Sequence, residues 1–276
     1  MSEEITRRNL LKGAAVGAAS VGVMGVLSAC GGGGSSSSSE AASSAAAAAA
    51  EAGSTVEEAM AQFEMVLGAK DGSNFGRYAE EDDLHGPTSL TDDTLANLNS
   101  AMGGETGAFT KYTEFSKVAK SAGFDRIAAL FEATAQAEDI HRHLEEQVAQ
   151  KLDSSAKLPD APKVSAYDTD GNLIAGARGE IYETADMYPQ YIEVAIKEAE
   201  DESDSTRKAA LEEAVQVFTR AKQAEAYHAK WYMDAYTTID TPTDDPYWLC
   251  ATCGFIHKGP KPATCPICGA TTFEQY

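Results

Sequence analysis

The chain has 276 residues, 43% of them hydrophobic, which is enough for one sizeable core and a small appendage. Its 43 acidic against 22 basic side chains give a net charge of -21. That argues against nucleic acid as a partner, because a phosphate backbone needs a basic footprint. Of five cysteines, Cys30 stands alone, while Cys250, Cys253, Cys265 and Cys268 crowd the last 27 residues. Such clustering speaks for a metal site rather than a disulfide framework spread over the fold.

The N-terminal stretch "TRRNLLKGAAVGAASVGVMGVLSAC" has a basic start, a weakly apolar middle and a small-residue end, the parts of an export signal. Arg7–Arg8 resembles a Tat signal, and "LSAC" resembles a lipobox with Cys30 as the lipidated residue. Residues 1–30 are therefore expected to export the protein. Cys30 is expected to anchor it outside the cytoplasm, as its only membrane contact. Residues 31–54 are Gly-, Ser- and Ala-rich and read as a flexible tether. Residues 55–90 hold one short amphipathic pattern and a loop punctuated by Gly and Pro, in which His85 reads as a surface histidine.

From Thr91 the periodicity is helical. It predicts helices over 92–121, 124–151, 174–202 and 205–238 within a unit spanning 91–240. Glu105 interrupts the apolar stripe Leu95, Leu98, Met102, Phe109, Tyr112, Ala119. Glu138 and His141 share a face with Ile127, Leu130, Phe131, Thr134, Leu144 and Val148. The two halves echo each other. Gly104–Glu105 matches Gly179–Glu180, Glu138-x-x-His141 matches Glu225-x-x-His228, and Tyr112 and Tyr188 each follow their Gly-Glu pair by two turns. A duplicated helical hairpin packs as a four-helix bundle, so the fold class is all-α with a small C-terminal metal-binding unit. Pro189 lies inside the third predicted helix and is expected to kink it.

Residues three apart on a helix point to one side, so each Glu-x-x-His offers a carboxylate and an imidazole to a single point. With Glu105, Glu138, His141, Glu180, Glu183, Glu225 and His228 turned inward, five carboxylates would lie in an apolar core. An unpaired buried carboxylate costs several kcal/mol, and two divalent cations would relieve most of that cost. Oxygen-plus-imidazole sets suit iron or manganese. One Glu from each of two helices with Glu-x-x-His from each of the other two is the arrangement of di-iron carboxylate bundles. Glu183 has Ala108 at the matching place after Glu105, so the set is asymmetric. His143 points away from His141 and reads as solvated.

The C-terminal residues 245–276 carry C-x2-C-x11-C-x2-C, with Gly254 and Gly269 following the two pairs. Four thiolates at this spacing hold one tetrahedral metal, iron or zinc. Iron is preferred, because a one-electron centre beside a di-iron bundle has an evident task. Tyr247, Trp248, Phe255 and Phe273 are expected to form a small core around it, while His257 needs no role.

Taken together, "GETGAFTKY", "AEDIHRH", "GEIYETADMYPQY", "AEAYH" and "CATCGFIH…CPICG" resemble the rubrerythrin family over residues 91–276. The resemblance implies a ferritin-like di-iron domain followed by a rubredoxin-like domain. It implies di-iron ligands Glu105, Glu138, His141, Glu180, Glu183, Glu225 and His228, and Cys250, Cys253, Cys265 and Cys268 around a mononuclear iron. It further implies that one iron exchanges Glu183 for His141 with redox state, and that Tyr112 and Tyr188 lie by the site. The activity implied is reduction of hydrogen peroxide to water, with electrons from an external donor relayed through the rubredoxin-type iron, in a homodimer. Ferroxidase or iron-handling activity and electron transfer without turnover are the competing readings. Glu105 and Glu138 lie 33 residues apart but Glu180 and Glu225 lie 45 apart. The extra residues are expected to lengthen the second hairpin by about 9 Å if shared between its helices.

Overall fold

Helix starts follow from capping chemistry. Asp93, Asp168 and Asp204 each place a carboxylate on a backbone N–H of the first turn, that of Ala96, Gly171 and Arg207 respectively. In the computed structural model, which describes residues 91, 93–239 and 241–276, these caps open helices α1 (Thr94–Ser121), α3 (Thr169–Tyr182) and α5 (Ser205–Thr237). Helix α2 (Asp125–Leu152) follows α1 through a tight turn in which Gly123 takes φ 84°, a left-handed value that favours glycine. The signal, the tether and the 55–90 segment lie outside the described residues. Among the described residues no helix is long and apolar enough to cross a membrane.

The third predicted helix is not one regular helix. It begins at Thr169, five residues early, and after α3 it passes through a π-helical turn, Glu183–Met187, before continuing as α4 (Tyr188–Asp201). The widened turn directly precedes the helical turn that holds Pro189. Pro189 sits in the first turn of α4, where its missing N–H costs nothing, and Tyr188 N–H reaches back to Glu183 O. Helix α5 has 33 residues where α1 and α2 have 28. Its partner run of 14, 5 and 14 residues is equally long, so the extra residues do extend both helices of the second hairpin.

Helix α1 packs on α2, α3 and α4 pack on α5, and α5 packs on α2. The apolar residues form two layers. Tyr112, Phe115, Phe131 and Tyr232 stack in one, with ring centroids 5.2–6.3 Å apart. Tyr188, Tyr191 and Phe218 anchor the other, 5.5–6.4 Å apart. On α1, α2 and α5 the inward acids fall in sequence between the residues of these layers. The core is thus a sandwich of apolar, acidic and apolar slabs.

The C-terminal unit is a three-stranded antiparallel sheet ordered β2-β1-β3, from β1 (Tyr247–Cys250), β2 (Ile256–Lys258) and β3 (Phe273–Gln275). It is fastened to the bundle by polar contacts. Trp231 Nε1 donates to Ile256 O at 2.9 Å, and Arg126 Nη2 donates to Asp245 O at 2.8 Å and Tyr276 O at 3.1 Å. Phe255 and Phe273 pack with the cysteines as expected, with Trp248 at their edge. Tyr247 instead joins the bundle core, its ring under the Arg126 guanidinium.

Candidate metal centres

Helix periodicity turns six of the seven expected ligands into the core, where water does not reach them. Glu105, Glu138, Glu180, Glu225, His141 and His228 are all at most 1% exposed. Their ligand-type atoms gather in two groups. Glu105, Glu138, His141 and Glu225 form one; Glu138, Glu180, Glu225 and His228 form the other; within each, all atoms lie within 4.8 Å of one another. Glu138 and Glu225 belong to both groups. Glu183 belongs to neither: it is half-buried at the head of the π turn. His143 is exposed, as expected, and its Nδ1 contacts Asp139 O at 2.6 Å.

The imidazoles are oriented from outside. His141 Nε2 lies 3.1 Å from Cys253 O, and His228 Nε2 lies 2.9 Å from Gly254 O. A carbonyl only accepts, so each Nε2 carries the proton and each Nδ1 turns a lone pair inward. His141 Nδ1 lies 2.8 Å from Glu225 Oε1 and 3.1 Å from Glu138 Oε2. His228 Nδ1 lies 2.6 Å from Glu225 Oε2 and 3.6 Å from Glu180 Oε2. The two rings are nearly parallel, 6.1 Å apart. Gly254 makes this docking feasible: its φ is 77°, and a Cβ there would run into the His141 ring.

Lone pairs that face each other need positive charge between them. Glu105 Oε2, Glu138 Oε1 and both oxygens of Glu180 are buried with no hydrogen-bond partner, and Glu225 meets the two Nδ1 atoms only at close contacts that need a proton or cation between them. Burial disfavours charge on His141, yet Glu225 and Glu105 outweigh it and lift the ring to about 10. His228 is likewise lifted to about 9, chiefly by Glu225 and Glu180 against its burial. Burial and neighbouring carboxylates raise Glu105, Glu138 and Glu183 well above the usual carboxylate range, and Glu180 to about 7. Glu225 is lowered, because the two imidazoles overcome its burial. Protons alone satisfy this cluster poorly, whereas two divalent cations fit its donor set of oxygens and imidazole nitrogens.

The tyrosines form an outer layer. Tyr188 Oη donates within a short contact to Glu105 Oε1 and lies 3.0 Å from Glu145 Oε1. Tyr112 is buried beside Tyr232, and Glu180 helps raise its pKa. Glu145 and Tyr232 are missing from the sequence-based site. Their signal was a heptad step: they follow Glu138 and Glu225 by seven residues on the same faces.

In the small unit the thiols pair at 3.6 Å (Cys250–Cys268) and 3.5 Å (Cys253–Cys265). That is far beyond a disulfide and close to the edge of about 3.8 Å expected for four sulfurs about 2.3 Å from one ion. Gly254 and Gly269 take φ 77° and 75° at the two knuckles. The carbonyls that hold His141 and His228 belong to one knuckle, so a four-cysteine site abuts the carboxylate–imidazole site directly.

A family model described as rubrerythrin matches residues 96–236. Nigerythrin from Nitratidesulfovibrio vulgaris is 46% identical over 209 residues, covering 75% of this chain and 95% of that protein. Rubrerythrin from the same organism is 31% identical over 187 residues, covering 63% and 88%. A solved structure described as the fully reduced, all-ferrous state of nigerythrin superposes with a TM-score of 0.62 at 44% identity, covering 72% of this chain and 95% of the other. The mixed-valence nigerythrin structure gives the same TM-score at 45% identity, covering 75% and 96%. With its carboxylate–imidazole di-iron site in a helical bundle and its four-cysteine rubredoxin-like site, the chain belongs to the rubrerythrin family.

Proposed function

We propose that the protein is a non-haem di-iron peroxidase that reduces hydrogen peroxide to water, with electrons passed from an external donor through a tetrathiolate iron. The observation that carries this reading is the pair of hydrogen bonds from His141 and His228 to Cys253 O and Gly254 O. They give a direct connection from the cysteine knuckle to both halves of the bundle site, which a storage or ferroxidase protein does not need. Two ferrous ions in this site would supply the two electrons that cleavage of an O–O bond requires.

The protein's own groups divide the work. Glu138 and Glu225, shared by both atom groups, hold the ions as a pair. Glu105 with His141, and Glu180 with His228, complete the two ends. Glu183, at the head of the widened turn, would be the carboxylate able to take the place of His141 as a ligand. Tyr188 keeps a hydroxyl proton on Glu105, and Tyr112 covers the Glu180 side. The apolar slabs exclude water, so released intermediates do not leak to solvent. In the same reading the Arg7–Arg8 signal exports the folded chain, and lipidated Cys30 keeps it at the membrane.

Anaerobic reduction followed by stoichiometric peroxide tests the proposal. Both iron chromophores should reoxidise quickly, the bundle first, and much faster than with oxygen. Reoxidation no faster than that of free iron overturns the reading, and fast response to oxygen alone favours a ferroxidase.

A further inference from the structure

One buried carboxylate stands outside both atom groups. Glu145 is 0% exposed, its Oε1 lies 3.0 Å from Tyr188 Oη, and its Oε2 has no partner. The same Tyr188 Oη contacts Glu105 Oε1. Three acidic groups therefore share two close oxygen–oxygen contacts, and each contact needs a proton between its oxygens. The phenol supplies one. The second belongs to Glu145 or to Glu105. Glu105 Oε2 is an orphaned atom of the ligand cluster, and a carboxylate that binds a cation gives up its proton. That leaves Glu145 as the carrier.

We propose that Glu145 is a positioning residue that works as a neutral carboxylic acid. Its O–H donates to Tyr188 Oη, forces the phenol proton onto Glu105 Oε1, and so leaves Oε2 as the one oxygen that Glu105 offers to iron. The inference rests on the reading of Glu105 as a ligand. The internal repeat places a different side chain at the equivalent position. Seven residues after Glu225, at the place equivalent to Glu145, stands Tyr232, which is buried with its ring centroid 5.4 Å from that of Tyr112. Tyr112 is the counterpart of Tyr188, so the equivalent position holds a phenol ring packed on the tyrosine, its hydroxyl without a hydrogen-bond partner among the described residues, in one half of the bundle and a hydrogen-bonded carboxyl group in the other. At a fully buried position a neutral acid has an O–H to donate and no charge to bury. The groups acting on Glu145 are Glu105 from α1, His141 from its own helix, Tyr188 and Tyr191 from α4, and Glu225 from α5. Burial outweighs His141 and the Tyr188 bond, and raises Glu145 to about 8.

The test uses the iron-loaded full chain. Infrared difference spectra between the parent protein and Glu145→Gln at neutral pH should contain the C=O stretch of a protonated carboxylic acid that the variant lacks. No such band overturns the proposal. Iron affinity by chelator competition supplies a second readout. Glu145→Gln keeps a donor towards Tyr188 and should stay close to the parent. Glu145→Leu should weaken affinity by about 10–100-fold, the usual effect of losing an outer hydrogen-bond partner. Equal losses in both variants would mean that a donor towards Tyr188 is not what position 145 supplies, and would also overturn it. Glu105→Ala separates the two readings. If it leaves the iron content unchanged, the ligand reading fails and takes this inference with it. A missing infrared band alone leaves the ligand reading standing.

Discussion

Single residues decide how the two metal sites meet. Gly254 combines a left-handed φ of 77° with a position where a Cβ would meet the His141 ring. Gly254→Ala adds backbone strain of about 1–2 kcal/mol and a methyl group where the imidazole lies. If the proposed relay runs through this contact, the expected outcome is a tetrathiolate visible spectrum that persists and electron transfer to the bundle slowed by about tenfold or more, measured by stopped-flow reoxidation. Gly269→Ala, with nothing near its Cβ position, should carry the strain alone and leave transfer intact. At the same scale, Glu138→Ala removes a carboxylate common to both atom groups. Metal analysis should show loss of both bundle irons and retention of the cysteine-bound one. The ligand-type residues were legible as acids and histidines on apolar stripes. The role of Gly254 was not, because nothing local tells a knuckle glycine that it will touch a histidine 113 positions earlier in the chain.

At the scale of elements, the same bundle tolerates side chains very unevenly. Gly103 is exposed in the middle of α1 with nothing near its Cβ position. Gly103→Ala should stabilise the protein by roughly 0.5–1 kcal/mol through reduced unfolded-chain entropy. Gly176 on α3 faces the Tyr232 ring, and a Cβ there would lie 2.8 Å from Cε2. Gly176→Ala overpacks that layer and should cost about 1–3 kcal/mol. Thermal melts of the two variants should move in opposite directions. The π turn belongs to this scale as well. Periodicity alone joined α3 and α4 into one helix with a proline kink, since a single extra residue per turn barely disturbs a hydrophobic pattern. The structure places a widened turn before Pro189, with Glu183 at its head.

For the whole molecule, metals and protons compete for one buried cluster. His141 and His228 have folded pKa values raised to about 10 and 9, and Glu180 to about 7. A raised folded pKa means that stability is fully present below the unfolded pKa, about 6.5 for His and 4.3 for Glu. It is lost as pH climbs through the folded value. The chelator-stripped protein should therefore lose thermal stability steadily between about pH 4 and 10, first through Glu180 and then through the two histidines. Glu225, which is lowered, works in the opposite sense and only below about pH 4.5. Iron replaces the protons, so the loaded protein should show a flatter profile and a melting temperature that rises with metal. Parallel pH-melts of stripped and loaded protein check this. A stripped protein as stable at pH 9 as at pH 6 contradicts the cluster's demand for positive charge.

The sequence by itself determined the helices, the duplicated hairpin, both ligand motifs and the four-cysteine unit. Each is a local pattern: an apolar period, a Glu-x-x-His spacing, a pair of knuckles. Only the tertiary structure decided which atoms share a point. It made Glu138 and Glu225 common to two groups, left Glu183 aside, and recruited Glu145 and Tyr232 as neighbours of the tyrosines. It also set the carbonyls of Cys253 and Gly254 against the two imidazoles. Those are contacts between residues far apart in the chain, fixed by how the slabs pack, and periodicity within one helix carries no information about the helix that will face it.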